Sequence, residues 1–213
     1  LPVALKLIEH LNSLAGMDTK PVIPDFTAWQ YDYVKHKTRK TFNIGGDQPP
    51  VVIGTDILPG DIKLIECSSD GLKEDLIRQL ITDEASVLVY TPANANIQAE
   101  LRALRKWLAE SACYAPVIFR LDLAEQNAAD FMLKGAANLG NAFIEGFGDG
   151  IWLTNKFPLS AGTISSTALG ILQACRTRMS RTEYIACPSC GRTQFNLMET
   201  LARIKAATSH LKG

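Results

Sequence analysis

Cys187 and Cys190 are the residues whose types and spacing best suit chemistry. They stand in the run Cys187-Pro188-Ser189-Cys190-Gly191-Arg192. A C-x-x-C spacing on a turn lets two thiolates converge on one metal ion or on one face of a cluster. Pro188 stiffens the loop, and Gly191 permits backbone conformations that turn N–H groups toward the sulfurs. The spacing alone leaves three chemistries open: half of a zinc ribbon, a redox dithiol, or ligation of a metal cluster. A thioredoxin-type pair sits between a strand and a helix near the amino end of its domain. Here the pair follows a whole series of α/β units. A second C-x-x-C pair would settle the zinc case, and the sequence has none.

The other candidates are weaker. Cys67, Cys113 and Cys175 are isolated, and Cys175 falls among Ile171, Leu172 and Ala174, so each reads as a small hydrophobe in or near a core. His10, His36 and His210 have no metal-binding spacing, and no hydrolase triad can be assembled from them. Gly146-Phe147-Gly148-Asp149-Gly150 could cradle a phosphate, but phosphate loops run from strand to helix and this one runs from helix to strand. It reads instead as a tight αβ connection with glycine ending the helix. Arg176, Arg178 and Arg181 read as a solvated helix end favoured by the helix dipole. Trp107 and Leu104, at helical spacing, read as core.

Bulk properties set the frame. The 213 residues carry 22 Lys plus Arg and 22 Asp plus Glu. That balance gives no electrostatic reason to expect a nucleic acid or an anionic membrane as partner. Apolar runs such as Val87–Tyr90 and Pro116–Phe119 are far shorter than the roughly 20 residues of a membrane span. Five cysteines without an export signal point to a reducing, cytoplasmic setting, where a close pair is a metal or redox site sooner than a disulfide. The chain opens on Leu1-Pro2-Val3-Ala4 and closes on a helical pattern through Gly213. Both ends read as cut.

The elements that must position the cysteines follow a clear rhythm. Leu5, Leu7, Ile8, Leu11 and Leu14 recur at helical spacing. An irregular stretch, aromatic and then basic, runs from Asp18 to Gln48. Asn43–Asp47 is a turn, and Pro49-Pro50 leads into an extended run over Val51–Ile53. Strands are expected at Ile62–Glu66, Ser86–Tyr90, Val117–Leu121 and Ile151–Leu153, with a weak one at Phe131-Met132-Leu133. Helices are expected at Leu72–Leu80, Asn96–Ser111, Ala136–Glu145, Thr163–Met179 and Leu197–Thr208. Continuous apolar strands alternating with helices make a mostly parallel α/β sheet, covered on both sides. Five or six units are too few for an eight-stranded barrel. They suit an open sheet or an incomplete TIM-barrel-like domain over residues 1–182. The rhythm breaks after Arg181, and residues 183–213 read as a separate segment.

Three stretches carry a resemblance to a known family. They are Gly148-Asp149-Gly150-Ile151-Trp152-Leu153, the helix with Ile171-Leu172-Gln173-Ala174-Cys175-Arg176, and the run from Arg181 to Leu197. The last reads Glu183-Tyr184-Ile185-Ala186-Cys187-Pro188-Ser189-Cys190-Gly191-Arg192-Thr193-Gln194-Phe195 at its centre and is far more distinctive than its C-x-x-C core. Together they resemble the long, three-domain form of the 4-hydroxy-3-methylbut-2-enyl diphosphate synthase family. The likeness is sharp over the last third, looser across Pro50–Gly150 and weakest before Asn43. Asn196 stands where the family commonly has Asp, and Asn still caps a following helix.

The resemblance implies an inserted α/β domain followed by the truncated first piece of an α+β iron–sulfur domain. It implies an oxidoreductase of the non-mevalonate isoprenoid pathway. Such an enzyme reductively opens 2-C-methyl-D-erythritol 2,4-cyclodiphosphate with two electrons from ferredoxin or flavodoxin. The cyclic diphosphate binds a barrel domain that this chain lacks, so no catalytic residue is expected here. In the family three cysteines and a glutamate hold a [4Fe–4S] cluster. Cys187 and Cys190 match the first two ligands, and the other two belong to a later Met-Gly-Cys-x-x-Asn-Gly-Pro-Gly-Glu-like segment. The chain by itself is therefore expected to hold no cluster and to be inactive, its inserted domain acting as a spacer. The alternative is a zinc-binding interaction module whose half ribbon is completed by dimerisation.

Overall fold

The structure, a computed structural model, describes residues 34–185 and 194–211. The chain divides into two compact units, Leu1–Arg178 and Met179–Gly213. The helix expected around Leu5–Leu14 and the aromatic stretch up to Tyr33 lie outside the described residues.

In the first unit the order is β1 (Val51–Val52), β2 (Lys63–Ser68), α1 (Glu74–Thr82), β3 (Ser86–Thr91), α2 (Ile97–Glu110), β4 (Val117–Leu123), α3 (Ala128–Ile144), β5 (Gly150–Asn155) and α4 (Ala161–Ala174). The five strands form one wholly parallel sheet in the order β1-β5-β4-β3-β2. From β2 to β5 each strand lies beside its predecessor, and β1 then joins the far edge of β5. This is the strand order of a barrel opened between β1 and β2. The fold is α/β.

Alternation along each strand divides the side chains between two faces. On one face Leu88, Tyr90, Val117, Phe119, Leu121, Ile151 and Leu153 meet Leu104, Leu108, Phe131, Leu139, Phe143 and Leu172 of the helices in a continuous core. The other face carries a smaller cluster, Val51, Val87, Val89 and Ile118 with Ile44, against which Leu64 and Trp152 pack. Among the described residues no helix covers that second face, where the sequence led us to expect one. Right-handed crossovers that all advance in one direction place every connecting helix on the same side of the sheet.

Two sequence expectations are corrected. Phe131–Leu133 is not a strand but part of α3. Asn127 caps that helix by accepting a hydrogen bond from the Asp130 amide at 2.9 Å. Phe131, Gly135, Leu139 and Phe143 then fall on one buried stripe, while Met132 is exposed. Three consecutive apolar residues imitate a strand only when the flanking 3.6-residue period is overlooked. The last helix of the unit stops at Ala174, five residues short of the expected Met179.

That stop has a clear local cause. The Thr177 amide bonds the Leu172 carbonyl and the Arg176 amide bonds that of Gln173, with Arg176 at φ 60°. This is a Schellman closure with arginine in the left-handed position usually given to glycine. α2 closes in the same way, with Ala112 at φ 48° and Cys113 bonding Leu108. α3 uses Gly146, at φ 71°, as its sequence announces. The ends of α2 and α3 fall within a residue of the expected Ser111 and Glu145, and only that of α4 departs from expectation.

The second unit contains one described helix, α5 (Leu197–Thr208), with the bounds expected from sequence. Asn196 Oδ1 accepts from the Glu199 amide at 3.1 Å. None of the described helices is long and apolar enough to cross a membrane.

Candidate metal-ligand segment and polar sites

Cys187 and Cys190 lie outside the described residues, within 186–193. The chain on either side of them is placed. The Tyr184 hydroxyl lies 2.6 Å from Thr208 Oγ1, and Lys205 Nζ stands 5.6 Å above the Tyr184 ring. Thr182 Oγ1 donates to the Leu211 carbonyl at 2.9 Å. The segment entering the cysteine pair thus runs along α5, and Asn196 starts that helix on the far side of the pair. α5 buries no residue fully, and Ile185, Phe195 and Met198 are exposed.

The remaining thiols are poor candidates for ligation. Cys113 is buried, Cys67 and Cys175 are half-buried, and all three belong to or pack on the large core cluster. Burial pushes each thiol up from its ordinary range, the reverse of what a ligating thiolate needs. Among the described residues no group of three or more His, Cys, Asp or Glu is arranged to hold a metal.

The first unit uses buried and half-buried charge to tie elements together. The Arg39 guanidinium donates to the carbonyls of Leu80 (2.8 Å), Asp83 (2.8 Å) and Ser86 (3.0 Å), closing the carboxyl end of α1. Glu100 is buried on α2 and accepts from the Tyr90 hydroxyl at 2.7 Å and from the Asn94 amide at 2.7 Å. Arg178 donates to Asp56 Oδ1 at 2.9 Å and to the Pro50 carbonyl at 3.0 Å. Its guanidinium holds the Asp56 carboxyl below the usual range. Arg178 is therefore a clamp between the chain after α4 and the turn after β1, not part of a solvated helix end.

Two polar groupings escaped the sequence reading. At the carboxyl ends of the strands, on the helix-free face, Arg120 donates to Glu66 at 2.9 Å and Asp122 at 3.0 Å. It also stacks 4.7 Å from the Trp152 ring. At the amino ends a cleft of about 240 Å³ is bordered by Lys35, His36, Pro49, Pro50, Asp149 and Arg176. There the Asp149 carboxylate accepts from the Val117 amide (3.0 Å) and Thr38 Oγ1 (2.9 Å), while burial pushes it up. His36 packs edge-on against Phe147 at 5.0 Å. Its Nε2 is buried with no hydrogen-bond partner. Burial, helped by Arg105, lowers this imidazole to about 4. These residues come from segments far apart in sequence, with no spacing to betray them. The Gly146–Gly150 turn proves to be the αβ connection expected: a Cβ at Gly148, φ 116°, would stand 2.6 Å from Phe119 Cε2.

Comparison with known proteins finds relatives that match the whole chain. The chain's relatives are 4-hydroxy-3-methylbut-2-en-1-yl diphosphate synthases. The flavodoxin-type synthase of Bacteroides fragilis is 34% identical across the whole chain, which corresponds to 43% of that protein. The flavodoxin-type synthase of Porphyromonas gingivalis is 34% identical, again across the whole chain and 41% of its own length. The chloroplastic ferredoxin-type synthase of Oryza sativa subsp. japonica is 37% identical over 53% of the chain and 15% of the plant protein. The chain thus spans about two fifths of the bacterial relatives that match it throughout. No family model matches.

Proposed function

We propose that this chain is the inserted α/β domain (residues 1–182) and the first segment of the iron–sulfur domain (residues 183–213) of a 4-hydroxy-3-methylbut-2-enyl diphosphate synthase. The observation that carries the reading is the likeness to these synthases over the whole chain, including the run that holds Cys187 and Cys190. In this reading the two cysteines supply two of the four protein bonds to a [4Fe–4S] cluster. The cluster, when bound, supplies one-electron chemistry at an iron. The whole enzyme draws electrons from flavodoxin or ferredoxin and reductively opens the cyclic diphosphate, which binds a separate barrel domain.

The part played by the first unit is positional. Arg39, Glu100 and Arg178 are spent on fastening helices and turns to the sheet, which suits a rigid spacer. The contribution of the chain's own residues to the chemistry is to present two thiolates at the start of the cluster domain. Asn196 fixes where α5 begins after them. Alone, the chain holds no stable cluster.

The test is a chimera in which this chain replaces the matching stretch of the Bacteroides fragilis synthase. The expected outcome is conversion of the cyclodiphosphate by the chimera, and its loss on Cys187→Ser or Cys190→Ser. A folded chimera that takes up iron yet converts nothing, or whose activity survives both substitutions, would sink the assignment.

A further inference from the structure

The amino-end cleft of the first unit belongs to none of the chemistry above. Three connections converge on it: the segment before β1, the turn between α3 and β5, and the chain after α4. Each is held firmly. The His36 amide donates to the Gly146 carbonyl at 2.9 Å, Gly46 N donates to Thr38 Oγ1 at 3.1 Å, and Thr177 Oγ1 donates to the Leu172 carbonyl at 3.1 Å. At Gly146 a Cβ would come within 3.0 Å of Lys35 Cα, so the turn and the segment before β1 touch through backbone.

The side chains gathered there are of complementary kinds. Lys35 and Arg176 are cations that border the cleft from opposite ends of the chain segment. Lys35 Nζ donates to the Gly46 carbonyl at 2.7 Å and lies 3.8 Å from Asp47, a carboxylate that also borders the cleft, with the Lys35 side chain half exposed and that of Asp47 fully so. His36 borders the same cleft, and its Nε2 is the one buried side-chain nitrogen or oxygen without a partner among the described residues. A buried polar atom left unpaired costs free energy that a ligand oxygen restores. Both oxygens of Asp149 are already engaged, by Thr38 and by Val117. Apolar walls come from Pro49, Pro50 and Phe143.

We propose that this cleft is a binding site for a small phosphorylated molecule, its phosphate facing Lys35, His36 and Arg176. The tautomer of His36 with hydrogen on Nε2 donates one hydrogen bond, and the two cations supply charge-assisted ones. A volume of about 240 Å³ is many times the roughly 10–15 Å³ that a single water needs, and one phosphate group does not fill it. The remainder, against the prolines and Phe143, takes a short carbon chain. The proposal is independent of the iron–sulfur reading, since it concerns residues of the first unit only.

The experiment is an NMR titration of the full chain, following the His36 ring signals at neutral pH. Inorganic phosphate and glycerol 3-phosphate are added separately, with chloride as the ionic-strength control. The expected result is a saturable shift of the His36 signals by both phosphates, tighter for the ester, and none by chloride. Lys35→Met should weaken binding about tenfold, the loss of one charge-assisted hydrogen bond. Lys37→Met, at an exposed neighbour, should leave binding unchanged, and circular dichroism checks that both variants fold. No saturable shift with either phosphate overturns the proposal. So does an equal response to chloride, or equal weakening by the Lys37 and Lys35 variants.

Discussion

Acidifying the protein should test His36 sharply. Its imidazole is lowered from 6.5 to about 4, chiefly because burial penalises the charged form and secondarily because of Arg105. The folded state therefore favours the neutral ring, while the unfolded chain takes up a proton as soon as pH falls through 6.5. The stability tied to this group is fully present above pH 6.5, declines between 6.5 and 4, and levels off below 4. Each pH unit is worth about 1.4 kcal/mol, so the whole window amounts to about 3 kcal/mol. Between pH 7 and pH 5 the loss is about 2 kcal/mol. Asp149 works in the opposite sense, since burial raises it and protonating it relieves a desolvated charge. Comparison with His36→Gln, which keeps Asp149, isolates the imidazole. Urea unfolding at pH 7, 6 and 5, followed by tryptophan fluorescence, should show the wild type losing about 2 kcal/mol that the variant does not lose. Parallel pH profiles for the two proteins, or a variant that loses more stability than the wild type on acidification, would refute the reasoning.

Two backbone predictions follow from the turns. Ala112→Gly relieves a left-handed alanine at φ 48° that closes α2, and should stabilise the chain by about 1 kcal/mol, read as a higher melting temperature. Gly148→Ala places a Cβ 2.6 Å from Phe119 and 2.9 Å from Phe143 at φ 116°. It should destabilise by about 3 kcal/mol or more, measured by urea unfolding. A melting temperature unchanged from the wild type in either variant would contradict the geometry.

Much of the fold was legible because its elements repeat a strong pattern. Val87–Tyr90 in β3 and Val117–Phe119 in β4 are apolar runs whose residues are all buried. α2 and α5 begin at Asn96 and Asn196, whose side chains accept amide hydrogen bonds as their position in the sequence implies. What was hidden depended on long-range packing. Met132 looks like the middle of a strand until Phe131, Leu139 and Phe143 are seen sharing one buried face. Arg176 and Ala112 end helices in a conformation that neither residue type advertises. Arg178 reads as one of three surface cations, and only the return of the chain to Asp56 and Pro50 shows it to be a clamp.

The candidate sites divide along the same line. Cys187 and Cys190 stand out as candidates from their spacing and from the motif around them, because both signals are local. The cleft around Lys35, His36 and Arg176 could not be found so, since its residues lie up to 141 positions apart. Its one local hint, Gly146-Phe147-Gly148-Asp149-Gly150, is an αβ connection that lines the cleft with Asp149 but carries no phosphate-loop pattern.

The most direct measurement of the central assignment is anaerobic reconstitution with iron and sulfide, followed by visible absorption and metal analysis. It compares this chain with a version continued through the next cysteine and glutamate of the family pattern, each with and without Cys187→Ser and Cys190→Ser. The expected result is a stable brown cluster in the extended protein only, lost when either cysteine is replaced. Tight zinc in the chain with no iron uptake by either version would contradict the assignment and favour a metal-bridged binding module.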